Sequence, residues 1–133
     1  MARTQGWSWT TSFLGGTLLV LTLVAASCGG AQSTANLPAQ MQAMTTHINS
    51  AMDAAKANDV AKARAEFQAY DTGWNAAEDA IKAKSPDTYK QVEAAMDEVG
   101  AALVKTDKPD PAKVSSSLQQ LSQRLATATT TLR

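Results

Sequence analysis

Residues 60–81 read VAKARAEFQAYDTGWNAAEDAI, and their apolar positions decide the fold. Val60, Ala63, Phe67, Tyr70, Trp74, Ala77 and Ile81 follow one another at alternating steps of three and four. That rhythm keeps side chains on one stripe of an α-helix, whereas a strand would need steps of two. A stripe of this width is the kind that bundle helices bury against one another.

The same rhythm recurs on both sides. Upstream lie Leu37, Met41, Met44, Ile48, Met52 and Ala55. Downstream come Tyr89, Val92, Met96, Val99 and Leu103, then Val114, Leu118, Leu121, Leu125, Ala128 and Leu132. Punctuation separates the runs. Asn58-Asp59 offers a cap for the second helix. Ser85-Pro86 and Asp110-Pro111 each place an N-cap residue before a proline whose missing N–H costs nothing in a first turn. Lys105 to Pro109 breaks the helix before the last run. Short connections favour antiparallel neighbours, so the expected fold is all-α, an up-down-up-down four-helix bundle over residues 37–133. The alanines between Ala51 and Ala65 favour helix but bury little area each. Thr127 to Thr131 is poor in helix formers and reads as a fraying end.

The first 36 residues have a different character. Arg3 is the sole charge, an apolar stretch follows from Phe13 to Val24, and small residues lead to Cys28, the only cysteine. This is the order of a secretory signal, and the stretch is shorter than the roughly 20 apolar residues a membrane span needs. The run Leu23-Val24-Ala25-Ala26-Ser27-Cys28-Gly29-Gly30 resembles a bacterial lipobox. The resemblance implies that residues 1–27 are a cleaved lipoprotein signal peptide and that Cys28 is lipidated. Residues 28–36 contain no large apolar side chain and read as a tether. The expected location is the extracytoplasmic face of the cell envelope, held to the membrane by the lipid anchor.

Composition excludes several functions. The chain carries 12 basic and 12 acidic residues, and losing Arg3 with the leader leaves a slight acidic excess. A nucleic-acid binder would show the opposite balance. One histidine and one cysteine cannot build a zinc cluster. No phosphate-cradling glycine loop is present. The Glu-x-x-His motif of di-iron bundles is missing too. With no nucleophile, base or cofactor motif, the expected protein is not an enzyme.

What remains is a set of carboxylates beside the stripes. Asp71 and Glu78 are seven apart and flank Trp74 on one side of the second helix. Glu93 and Asp97 are four apart and share a face of the third. The hairpin through Ser85-Pro86 connects these two helices, and oxygen-rich sites of this kind suit hard cations. The plainer reading is that these acids are solvated boundary positions paired with Lys82 or Lys90. His47 reads as a boundary residue first and a nitrogen ligand second. The methionines at stripe positions read as core filling. Trp74 and Tyr70 read as core aromatics whose N–H and hydroxyl reach partners at the boundary.

Residues 65–78, Ala-Glu-Phe-Gln-Ala-Tyr-Asp-Thr-Gly-Trp-Asn-Ala-Ala-Glu, and residues 81–96 carry a further likeness. Together they resemble the extracytoplasmic helical domain of bacterial high-affinity iron permeases. There an aromatic-x-x-x-Glu precedes a Ser-Pro-type turn and then a helix carrying Glu. Trp74 matches the aromatic, Glu78 the first acid and Glu93 the second; Ala77 departs from the larger residue usual before that acid. The permease membrane helices, with their Arg-Glu-x-x-Glu iron motifs, have no counterpart here. The resemblance therefore implies a stand-alone, lipid-anchored relative that binds or delivers a cation, iron foremost, beside a permease or another membrane complex. Glu78 and Glu93 would be direct metal ligands, with Asp71 and Asp97 next. The alternative, from a different class, is a structural or assembly subunit of a membrane complex, comparable in architecture to the four-helix lipoproteins of photosystem II.

The lipid anchor is testable in the native host. Wild-type protein is expected to incorporate labelled palmitate and partition into detergent, and Cys28→Ser to do neither. Equal labelling of the two forms would remove the anchor.

Overall fold

The computed structural model describes residues 36–133; the leader and Cys28 lie outside the described residues. Helices begin where the local chemistry satisfies their free N–H groups. The first, α1 (Leu37–Lys56), has proline in its opening turn. The second, α2 (Val60–Lys84), opens on Asp59, whose carboxylate accepts from the Lys62 N–H at 3.0 Å. The third, α3 (Pro86–Val99), opens on Ser85, whose hydroxyl accepts from the Thr88 N–H. In α4 (Pro111–Thr131) the Asp110 carboxylate accepts from both Ala112 and Lys113. The expected caps at Asp59, Ser85 and Asp110 are all used. No strand occurs among the described residues, and no helix there is long and apolar enough to cross a membrane.

The α1–α2 connection is short, only residues 57–59. Asn58 adopts a left-handed backbone, φ 57°, a conformation asparagine tolerates better than most residues. It lets the Asp59 N–H reach the Ala54 carbonyl at 2.9 Å and the Asn58 N–H reach Ala55 at 3.1 Å. These two bonds satisfy carbonyls left free at the end of α1, in the Schellman arrangement. Asp59 thus closes one helix with its backbone and opens the next with its side chain.

The core is built from all four helices. Trp74, Tyr70, Met41, Met44, Ile48, Ile81, Leu103, Leu118, Leu121 and Leu125 are its largest fully buried members. The stripes of α2 and α4 lie inward as expected, save that Val60 at the start of α2 is only partly buried. Two stripes need correction. In α1 the buried residues after Ile48 are Ala51 and Ala54, while Met52 and Ala55 sit at the margin. The tight turn draws α1 and α2 together, and Ala51 and Ala54 of α1 and Ala63 of α2 are all buried near it, where small side chains fit. In α3, Ala95 is buried and Tyr89 and Met96 are only partly so. Close approach also marks Gly73 in α2. A β-carbon there would lie 3.1 Å from Met44 Cγ, so the glycine admits a methionine of α1.

Helix α3 does not end like the others. It continues through one π-helical turn, Gly100–Val104, in which the Lys105 N–H bonds the Gly100 carbonyl at 2.9 Å. Carbonyls freed there are met from α2. Arg64 donates from Nε to the Leu103 carbonyl at 2.9 Å and from Nη2 to the Thr106 carbonyl at 2.7 Å. A guanidinium fork at a helix C-terminus answers both the free acceptors and the negative end of the dipole.

The threonine-rich end of α4, expected to fray, is helical through Thr131. Ala128 and Leu132 anchor it in the core. Thr127, Thr129, Thr130 and Thr131 turn their hydroxyls back onto carbonyls four residues earlier, which keeps these β-branched residues compatible with the helix. The Lys84 ammonium, at the end of α2, donates to the Leu132 carbonyl.

Leu118→Ala is expected to lower unfolding free energy by about 2–5 kcal/mol in urea denaturation. Exposed Ser115→Ala should stay within about 0.5 kcal/mol of wild type. Equal effects from the two would contradict the assigned face of α4.

Candidate functional site

The stripe of α2 that builds the core leaves the next positions around the helix to form a rim. Asp71, Asn75 and Glu78 lie along that rim, and Glu93, Met96 and Asp97 face them from α3. Between them runs a groove of about 270 Å³, lined also by the buried Phe67 and Trp74 and by Gly100 and Lys105. The four acids named from sequence, Asp71, Glu78, Glu93 and Asp97, thus line one groove. Lys105 is the only cation among its lining residues.

The groove is tied to the core through Trp74. Its ring is 1% exposed, and its Nε1–H donates to Glu93 Oε1. A buried indole N–H needs an acceptor, and a carboxylate makes that bond charge-assisted. One oxygen of Glu93 is so engaged, and the bond orients the other. Tyr89 stacks on Trp74, ring centroids 6.0 Å apart, and the Lys82 ammonium lies 5.0 Å from the Tyr89 ring centre. Lys82 therefore contacts an aromatic face rather than a groove carboxylate. The expected pairing of these acids with Lys82 or Lys90 is not found: the ion pairs among the described residues are His47–Glu66 and Lys56–Asp53.

Tyr70 departs from expectation more sharply. Its ring is fully buried and stacks against Phe67 at 5.9 Å. Its hydroxyl does not reach a partner at the boundary. Among the described residues it is the one buried side-chain polar atom without a hydrogen bond, at a cost of about 1–3 kcal/mol. Burial first, then the neighbouring Glu93 and Asp71 carboxylates, pushes this phenol far above its ordinary range. Tyr89 is pushed the same way, by desolvation and by Glu93, Glu78 and Asp79.

His47 is not part of the groove. Its Nδ1 lies 2.9 Å from Glu66 Oε2, joining α1 to α2, which is the boundary role. No group of three or more His, Cys, Asp or Glu among the described residues converges as a ready-made metal site. The groove acids share a field without sharing a point. Carboxylates spread in this way can attract a hydrated cation but cannot by themselves complete its coordination shell. Sequence reasoning missed Lys105 and Asn75 at the rim. Asn75 follows Asp71 by four and was legible, whereas Lys105 is aimed by the π-turn, which spacing rules for an α-helix do not describe.

Comparison with protein-family models, curated proteins and solved structures finds no match for this chain. The likeness to permease ectodomains rests on residues 65–78 and 81–96 alone.

The displaced phenol makes a pH prediction. Because the folded state holds the Tyr70 proton more tightly than the unfolded chain does, its contribution is full below pH about 10 and lost as pH rises beyond it. Stability should fall there by up to about 1.4 kcal/mol per pH unit from this group. Tyr70→Phe should melt no lower than wild type at neutral pH and decline less steeply above pH about 10. An identical alkaline decline in both would contradict the buried hydroxyl.

Proposed function

We propose that this chain is a lipid-anchored, extracytoplasmic domain without catalytic activity, which binds a cation in the groove between α2 and α3 and holds or delivers it at the cell envelope. The observation that carries this reading is the gathering of four carboxylates from two helices along one groove, opposed by a single lysine. Iron is the foremost cargo, because Trp74, Glu78 and Glu93, the residues that resemble the permease ectodomain, all line that groove. A permease or other membrane complex is the corresponding partner.

The bundle is up-down-up-down in this reading. Support comes from the ends of the helices. Lys84 and Leu132 meet where α2 and α4 finish. At the opposite end the α1–α2 turn at Asn58 shares a small hollow with Leu103, Pro109 and Pro111.

Glu78 and Glu93 are the first ligands, with Asp71 and Asp97 drawing the ion in and balancing its charge. Trp74 orients Glu93 in the way outer-shell donors orient metal-bound carboxylates. Since no three acids converge, one or two carboxylates and retained water hold the ion. A site of that kind exchanges readily, as delivery requires.

Melting of the full chain, purified in detergent, tests this with ferric citrate, ferrous iron, manganese and calcium. A free ion about tenfold above its Kd stabilises the fold by about 1.4 kcal/mol, a rise of roughly 6–11 °C for a domain of this size. Glu78→Gln and Glu93→Gln should each abolish the rise. If no cation shifts the wild-type melting point, cation binding is abandoned and the assembly-subunit reading replaces it.

A further inference from the structure

Lys105 reaches the groove by an uncommon route. The helix before it ends in a π-turn, a conformation that is rare and gathers at functional sites. The backbone around Lys105 is pinned from two directions. Its own N–H bonds the Gly100 carbonyl at 2.9 Å. The Arg64 guanidinium takes the Leu103 and Thr106 carbonyls, which bracket it, at 2.9 and 2.7 Å. The turn also leaves Val104 51% exposed, the one large apolar side chain so exposed among the described residues. An ending that uncovers a valine and borrows a guanidinium from another helix is a costly one. What it brings is the single cation in the lining shared by Asp71, Glu78, Glu93 and Asp97. Lys105 forms an ion pair with none of them, since the ion pairs among the described residues lie elsewhere. A compact ammonium on a flexible stem, without a fixed partner, answers the field of all four.

We infer, on the cation-binding reading above, that Lys105 is the resident counter-ion of the groove and that an arriving metal ion must displace it. Arg64 is the positioning residue: by holding the π-turn it keeps Lys105 at the groove.

In the metal-free groove the carboxylates repel one another, and the ammonium offsets part of that repulsion. A metal cation supplies the same compensation more strongly, and the ammonium beside it then becomes a like charge. The stem swings to solvent while the backbone stays pinned by Gly100 and Arg64, so displacement needs no unfolding. Each arriving ion loses affinity through this exchange, and each departing ion is replaced by the lysine. Binding stays weak enough for release, and the vacated groove is never left uncompensated.

The test uses the full chain in detergent at roughly 0.01 M ionic strength, where such fields are little screened. Melting is followed first without metal and then with ferric citrate, manganese chloride and calcium chloride. Lys105→Met keeps a long stem and loses the charge. It should melt about 1–4 °C below wild type without metal, and the deficit should close at roughly 0.5 M sodium chloride. The same variant should bind each ion that shifts wild type about threefold to tenfold more tightly. Lys105→Arg should restore both values. Arg64→Lys keeps the charge and loses the fork; it should also tighten binding, and adding it to Lys105→Met should tighten binding no further. Loss of packing alone would weaken binding, so tightening without additivity marks a residue that acts through Lys105. Arg64→Lys binding no tighter than wild type, or tightening that adds to that of Lys105→Met, overturns the positioning role. Wild-type binding that Lys105→Met leaves within about 1.5-fold overturns the counter-ion role and leaves the groove reading standing. No melting shift with any of the three ions in any form overturns the groove reading and the displacement with it.

Discussion

The hydrogen bond from the Trp74 indole to Glu93 joins the core to the groove, and much of the molecule follows from it. The ring is the largest buried side chain and sits at the middle of α2. Its single N–H cannot be buried without an acceptor at tolerable cost. The acceptor is a carboxylate from α3, so a charged residue stands at the edge of an apolar core. That fixes how α3 turns about its own axis. With Glu93 held against α2, Asp97 follows one turn later on the same face, and Asp71 and Glu78 stand one turn to either side of Trp74. The groove is the outcome of satisfying one indole proton.

A second constraint acts where α3 ends. The π-turn frees carbonyls that an ordinary cap would cover, and Arg64 reaches across from α2 to take those of Leu103 and Thr106. The same turn brings Gly100 and Lys105 into the lining of the groove. Helices α2 and α3 are thus joined by polar bonds at two heights, Trp74–Glu93 and the Arg64 fork. On the other flank α1 and α2 are joined by a three-residue turn, by buried alanines, and by His47 against Glu66. Apolar packing supplies the bulk of the stability, and these polar bonds set the rotation of each helix within it.

Most of the fold was legible. The α2 and α4 stripes from Ala63 to Ile81 and from Val114 to Leu132 lie inward as their spacing requires, and Asp59, Ser85 and Asp110 cap as their identities require. The misreadings share a cause. Met52 and Met96 were placed in the core because they are large and apolar, but Ala51 and Ala95 are buried instead. Where two helices run close, volume limits what fits, and the smaller residue on the adjacent position turns inward. The π-turn was invisible for a related reason: nothing in Gly100 to Val104 breaks helical propensity enough to announce it.

The acids of the groove were legible as two pairs, Asp71 with Glu78 and Glu93 with Asp97, because spacing within a helix is a local property. Helix starts, inward stripes and the partnering need of a buried tryptophan are likewise determined by the sequence alone, since each depends on residues a few positions apart. The tertiary structure decided the rest. It brought the two pairs onto one groove, kept them from converging on one point, added Lys105 to its lining and left the Tyr70 hydroxyl without a partner in the core. Those outcomes depend on the rotation of α2 and α3 relative to each other, and a rotation between two helices leaves no trace in the spacing along either one.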